Sequence, residues 1–309
     1  MTATSRWRPR HDDPLMIMAM DHRDSFGKTL FGVVNDQPDA KQGAAMRSAK
    51  QLIFEGLRAA AERLTIGRAG LLVDEQYGRA VIDSVARRTS VVLAVPVEAS
   101  GHEWFTLAFG DEWLEHVERI RPDYAKVLVR DNPDFDADSR RKQLSDLAVV
   151  SDGLRKIGVP MLYELLVPAT PAQLGSVGGD TDRYDRDLRP ALVARVIADN
   201  QIHEVRPALW KVEGFDTVEG ARQVAEQAVA GGHIADLIVL GRDAPADRLD
   251  RWIDIACGVP GFVGFAIGRS IWEDPIRDYE ASDRGRQAAD EARARIAERY
   301  LGFVEHWRP

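Results

Sequence analysis

The sequence predicts a single (β/α)8 barrel, the TIM-barrel form of the α/β class, on three observations. Eight short, nearly continuous apolar runs recur along the 309 residues, helical patterns alternate with them, and no segment reads as an inter-domain linker. A strand covered by helices on both faces of a parallel sheet has no polar face to show, so it reads as an unbroken run.

The runs are LMIMAMDHR (15–23), AGLLVDEQYG (69–78), SVVLAVPVEAS (90–100), YAKVLVRDN (124–132), PMLYELLVP (160–168), ALWKVEG (208–214), DLIVLGRD (236–243) and GFVGFAIGRSIW (261–272). Between them lie the amphipathic AKQGAAMRSAKQLIFEGLRAAAERL and DEWLEHVERI, whose Asp111 is placed to start a helix. A last helix near 284–306 closes the ring, and residues 1–13 are expected to form a flexible N-terminal arm before a barrel spanning 14–309. Two connections, 24–40 after the first strand and 168–184 after the fifth, are longer than a barrel needs. Both follow strand C-terminal ends, so they are expected to cover a substrate. An open doubly wound sheet would place a glycine-rich turn after its first strand, but that strand runs into DHRDSF and no GxGxxG or GxxxxGK[ST] occurs. SVGGD at 176–180 follows no strand directly and reads as a flexible loop tip.

Lys plus Arg number 41 against 49 Asp plus Glu, a net charge of -8 that disfavours nucleic acid. No stretch has the roughly 18 apolar residues of a membrane span, and MTATSRWRPRHDD lacks a signal peptide's apolar core, so a cytoplasmic protein without membrane partners is expected. A homo-oligomer is expected as well. The lone Cys257, in DIACGVPG, reads as a packed helix end.

A charge in mid-strand is costly in a barrel unless it faces the polar mouth and has a partner. Lys126 in YAKVLV, Glu164 in MLYELL and Lys211 in ALWKVE break the apolar rule this way, on three consecutive strands. Alternation puts Lys126 on one face with Arg130, and Lys211 with Glu213. The bland reading is an ion-pair network that satisfies itself. Two lysines around one carboxylate suit catalysis better, because a buried amine beside a second cation is freed to attack a carbonyl while the acid moves protons through carbinolamine, imine and enamine. That is class I aldolase chemistry, in which Lys211 forms the Schiff base and no metal or cofactor is required. Asp21, in DHR at the end of the first strand, is a fourth candidate catalytic residue.

Arg23, Arg130, Arg242 and Arg269 stand at the ends of other strands and point to an anionic ligand; Arg269 with Gly268, and Arg242 with Gly241, are candidates to hold a phosphate after strands eight and seven. The alternative mechanism is a divalent metal on Asp21, His22, Asp74, Glu75 and Glu98, but there is no HxH pair or Cys/His spacing. His102, His116, His203, His233 and His306 are scattered through helices and loops.

DHRDSF, LVDEQYG, AKVLVRDNPD, YELLVPATPAQL, SVGGD, WKVEG and GFAIGRSIW resemble, from about residue 14 to 306, the aldolase-like domain of inositol catabolism known as DUF2090, often fused behind a sugar-acid kinase. That domain resembles in turn the class I tagatose-1,6-bisphosphate and sulfofructosephosphate aldolases. The resemblance implies Lys211 as the Schiff-base residue, Lys126 and Glu164 as its partners, and Gly268 and Arg269 as the strand-8 G-R motif. It further implies cleavage of 2-deoxy-5-keto-gluconate 6-phosphate to dihydroxyacetone phosphate and malonate semialdehyde. A stand-alone domain without the fused kinase is expected, which leaves another sugar phosphate open as substrate. A non-catalytic metabolite-sensing barrel and an isomerase using Glu164 as base are the competing functions.

Overall fold

The computed structural model describes residues 7–35, 37–88, 90–242 and 244–309. Among them eight strands close into one parallel barrel in sequence order: β1 Leu15–Met20, β2 Arg68–Val73, β3 Val92–Pro96, β4 Tyr124–Arg130, β5 Met161–Leu166, β6 Leu209–Glu213, β7 Asp236–Leu240 and β8 Phe262–Ile267. Every apolar run has become a strand, and β8 pairs with β1 to close the ring.

Alternation sorts the strand residues into two apolar layers. Leu15, Ile17, Ala19, Tyr124, Leu162, Leu209 and Ile238 belong to one cluster, the filling of the barrel, whereas Met16, Met18, Val127, Tyr163, Trp210 and Val239 join the larger cluster shared with the helices. Lys126, Glu164 and Lys211 each stand two residues on from an inner-cluster residue, so they continue the inward rows towards the strands' C-terminal ends.

The helices follow their local signals with one exception. Helix Ala40–Ala61 starts in a capping box in which the Asp39 side chain accepts from Gln42 N and Gln42 returns the bond. The closing helix, Arg286–His306, buries Ile296, Tyr300 and Phe303, and Tyr300 donates to Met16 O at 2.7 Å. Asp111, expected to start a helix, lies instead inside a 3-10 turn, Gly110–Glu112, before helix Trp113–Ile120, and caps nothing there. Gly264 in β8 has φ +142, and a Cβ there would lie 1.9 Å from Leu15 O, where β8 meets β1. The β7/β8 register also shifts between Leu237 and Val239.

Residues 1–6 of the expected N-terminal arm lie outside the described residues. Trp7 donates to Asp13 Oδ2 at 2.5 Å and carries the Arg68 guanidinium over its ring. Cys257 ends helix Ala246–Cys257 within the larger apolar cluster, and burial raises its thiol. In SVGGD, Gly178 and Gly179 take positive φ and Asp180 caps the turn Thr181–Arg183, so the segment joins two short helices. Among the described residues no helix is long and apolar enough to cross a membrane.

Candidate active site

A cavity of about 370 Å3 opens at the C-terminal ends of the strands, where barrel enzymes build their sites. Asp21, Lys126, Glu164 and Lys211 all line it. A larger cavity, about 1150 Å3, opens beside Trp7, Arg68 and Tyr124 and contains none of the sequence-predicted site residues.

The two long connections contribute less than expected. Asp24 and Ser25 reach the cavity from the first, which folds into helix Asp24–Phe31; the second, coiled into helix Pro171–Ser176 and the turns up to Leu188, supplies no lining residue. The wall comes instead from the connection after β3, residues 98–106, held by the Glu98–Leu107 bridge and joined to the first loop by a Ser100 Oγ to Asp24 bond of 2.6 Å. Its glycine and polar content carries no periodic signal that would have singled it out.

At the floor, register places Glu164 of β5 opposite Lys211 of β6. The Glu164 carboxylate lies between two ammonium groups, with Oε1 at 2.8 Å from Lys211 Nζ and Oε2 at 2.9 Å from Lys126 Nζ. Lys126 also donates to Asp21 Oδ2 at 2.9 Å and Glu98 Oε1 at 2.7 Å, so three carboxylates surround it. The lysines are 1% and 2% exposed. Burial alone would lower the Lys126 ammonium, but Asp21, Glu164 and Glu98 outweigh it and hold it well above the usual lysine range. Burial would raise Asp21 and Glu164, yet Lys126 and then Lys211 hold both below the ordinary carboxylate range. Glu98 differs: burial raises it further than Lys126 lowers it. Burial takes His22 down to about 4, leaving a neutral imidazole edge-on to Trp272.

Of the arginines, Arg23 donates to Glu98 O at 3.0 Å and so holds the β3 loop. Arg130 lines the cavity from the exposed end of β4. Gly268, Arg269 and Ser270 line it where helix Arg269–Ala281 begins; a Cβ on Gly268 would lie 2.5 Å from Ala19 O, so the close approach requires glycine. Gly241 and Arg242 also line it, but the Arg242 guanidinium is held by Glu213 at 2.8 Å and by Asp185 at 2.8 and 3.2 Å. Those two carboxylates already engage its terminal nitrogens, while its side chain keeps 38% exposure.

The acids weighed as metal donors disperse. Asp74 pairs with the buried Lys50 and Glu75 with His116, while Asp21 and Glu98 meet Lys126. Among the described residues no group of three His, Cys, Asp or Glu is arranged to hold a metal. Lys50 is the residue that sequence reasoning missed. It donates to Met20 O at 2.7 Å and His22 O at 3.0 Å, fixing the turn that presents Asp21. The signal was there: Lys50 stands on the apolar stripe Met46, Ile53 and Leu57 of its helix, where a lysine needs a buried partner.

Fold and site together define a (β/α)8 barrel whose mouth is built on buried lysines and carboxylates. The chain belongs to the DUF2090 family, described as "Uncharacterized protein conserved in bacteria", whose model matches residues 2–309. Solved structures share the fold, among them the following two. Cgl0159 from Corynebacterium glutamicum (Brevibacterium flavum) matches with a TM-score of 0.55 at 17% identity, covering 92% of this chain and 85% of that one. A protein of Coccidioides immitis, described as a candidate fructose-1,6-biphosphate aldolase, matches with a TM-score of 0.53 at 10% identity, covering 96% and 91%. At these identities the likeness concerns the fold alone. The search of curated proteins found no match.

Proposed function

We propose that this barrel is a class I aldolase in which Lys211 forms a Schiff base with a ketose phosphate, releasing dihydroxyacetone phosphate and an aldehyde. The observation that carries the reading is the Glu164 carboxylate set between the two lysines, 2.8 Å from Lys211 and 2.9 Å from Lys126. It also separates their roles. Lys126, ringed by three carboxylates, keeps its proton and is a poor nucleophile; Lys211, ion-paired to Glu164, is one proton transfer from a free amine.

Glu164 takes that proton, the amine attacks the ketone carbon, and Glu164 returns the proton to the carbinolamine hydroxyl, which leaves as water. The iminium is then the electron sink for the bond two carbons away: its cleavage gives an enamine on Lys211 and a free aldehyde. Asp21 and Glu164, held ionised, stabilise the cation as it forms. Arg269, Gly268, Arg23 and Arg130 line the same cavity and suit a phosphorylated substrate. The family resemblance favours 2-deoxy-5-keto-gluconate 6-phosphate of myo-inositol breakdown; aldolase is also the activity in the description of the Coccidioides neighbour.

Borohydride reduction in the presence of dihydroxyacetone phosphate, followed by peptide mass mapping, tests the reading. The adduct is expected on Lys211. An adduct on Lys126, or none on any lysine of an active preparation, overturns it.

A further inference from the structure

We propose that Glu98 is a second proton-transfer residue of the cavity, exchanging a proton with the substrate hydroxyl on the carbon that becomes the aldehyde; this rests on the Schiff-base reading of Lys211. The hydroxyl in question sits on the carbon two beyond the iminium carbon, further along the substrate from Lys211. Glu164 is already engaged by both lysines. Its Oε1 faces Lys211 and its Oε2 faces Lys126. Glu98 stands on β3's connection and touches the same Lys126 with Oε1 at 2.7 Å, one lysine further round the mouth.

The second oxygen of Glu98 is the telling atom. Oε2 is buried and has no hydrogen-bond partner among the described residues, although the side chain lines the cavity and the residue is only 5% exposed. Buried acceptors are normally satisfied, so one without a partner beside a cavity keeps its capacity to accept from a ligand atom. The backbone around it is fixed: Arg23 donates to Glu98 O at 3.0 Å, and the flanking Ala99 N and Ala108 N bond to Thr106 O and Val97 O at 2.8 and 2.9 Å. A carboxyl held this way is pre-organised for a ligand atom.

Charge gives Glu98 its chemistry. Asp21, Glu98 and Glu164 face Lys126 and Lys211, and the Arg23 guanidinium lies 3.8 Å from Glu98 Oε1. Asp21 and Glu164 are held low, whereas burial raises Glu98, which makes it the strongest base of the three. In cleavage, ionised Glu98 removes the hydroxyl proton. The O–H electron pair becomes the aldehyde C=O, the adjacent carbon–carbon bond breaks, and its electrons pass into the Lys211 iminium to give the enamine. Glu98 ends protonated, and in condensation the same proton returns to the new alkoxide.

The test is Glu98→Gln, which keeps the shape and an oxygen for Lys126 but cannot take a proton. The wild type is first assayed for cleavage of 2-deoxy-5-keto-gluconate 6-phosphate and fructose 1,6-bisphosphate, and the variant on whichever is cleaved. Borohydride trapping of dihydroxyacetone phosphate on Lys211 should stay within about twofold of wild type, while kcat for cleavage falls about 100-fold or more, in the range of a lost acid-base group. Glu98→Asp should recover part of the rate, and in it the Glu98 limb of the pH-rate profile should shift. Cleavage by Glu98→Gln within about threefold of wild type, or adduct and kcat falling together, overturns the role of Glu98. Absence of the Lys211 adduct in the wild type overturns the Schiff-base reading instead, so the two failures are told apart.

Discussion

Lys211 and Glu164 face each other directly across the β5–β6 pair, and the register that aligns their backbones brings Nζ within 2.8 Å of Oε1. Neither side chain needs a loop to meet the other. A pair built on adjacent strands is held by the hydrogen-bonded ladder itself, which fixes the geometry of the proposed nucleophile and its proton acceptor.

Lys211→Met should therefore abolish borohydride trapping and lower kcat by at least about 1000-fold, since loss of a covalent nucleophile removes the intermediate and not just a contact. Binding of the substrate, measured by calorimetry, should persist. Undiminished turnover in the variant would leave no place for a Schiff base.

Lys126→Met should trap on Lys211 but fold less stably at neutral pH, by about 3–5 kcal/mol, because three buried carboxylates lose their shared cation. The sign with pH follows from Asp21 and Glu164, whose folded values lie below ordinary because Lys126 and Lys211 override burial. Such groups stabilise above the unfolded value, about 4, and lose that stabilisation as pH falls through the folded one. The gap between wild type and variant in urea midpoint should accordingly narrow below pH of about 4. An equal gap from acid to neutral pH would separate Lys126 from these carboxylates.

Arg269→Ala should raise KM for a phosphorylated ketose about 10- to 100-fold, the value of one charge-assisted contact, and leave KM for the unphosphorylated analogue unchanged. Arg242→Ala should behave differently. Its guanidinium holds Asp185 and Glu213, so its loss should lower Tm with a smaller change in KM. Steady-state kinetics and thermal melts on both variants check the contrast.

Exhaustive chelation should leave activity intact, since Asp21 and Glu98 face Lys126 and Asp74 faces Lys50, where a divalent ion would have to displace an ammonium. Dialysis against EDTA checks it; complete loss restored by magnesium or manganese would replace the Schiff-base mechanism.

Gly264→Ala should destabilise the barrel by about 1–3 kcal/mol, the usual cost of overpacking, because the added methyl meets Leu15 O where β8 closes on β1. Denaturant midpoints at constant slope would measure it.

The sequence by itself determined the barrel and the charged floor of its cavity. Strands buried on both faces must be apolar throughout, so the eight runs announced themselves, and within them Lys126, Glu164 and Lys211 stood out because a charge there has no other tolerable surroundings. What surrounds that floor was decided by tertiary structure. Asp21 and Glu98 converge on Lys126 from β1 and β3, Lys50 reaches across from a helix to hold the turn before Asp21, and Asp185 comes from 57 residues away to occupy Arg242. The connection after β3 walls the cavity while the longer one after β5 coils away from it. Periodicity is a property of a few neighbouring residues and survives in the sequence. The partner of a charge at a strand end depends on how the closed sheet staggers its strands and on which loop folds over the mouth, and only the assembled barrel sets both.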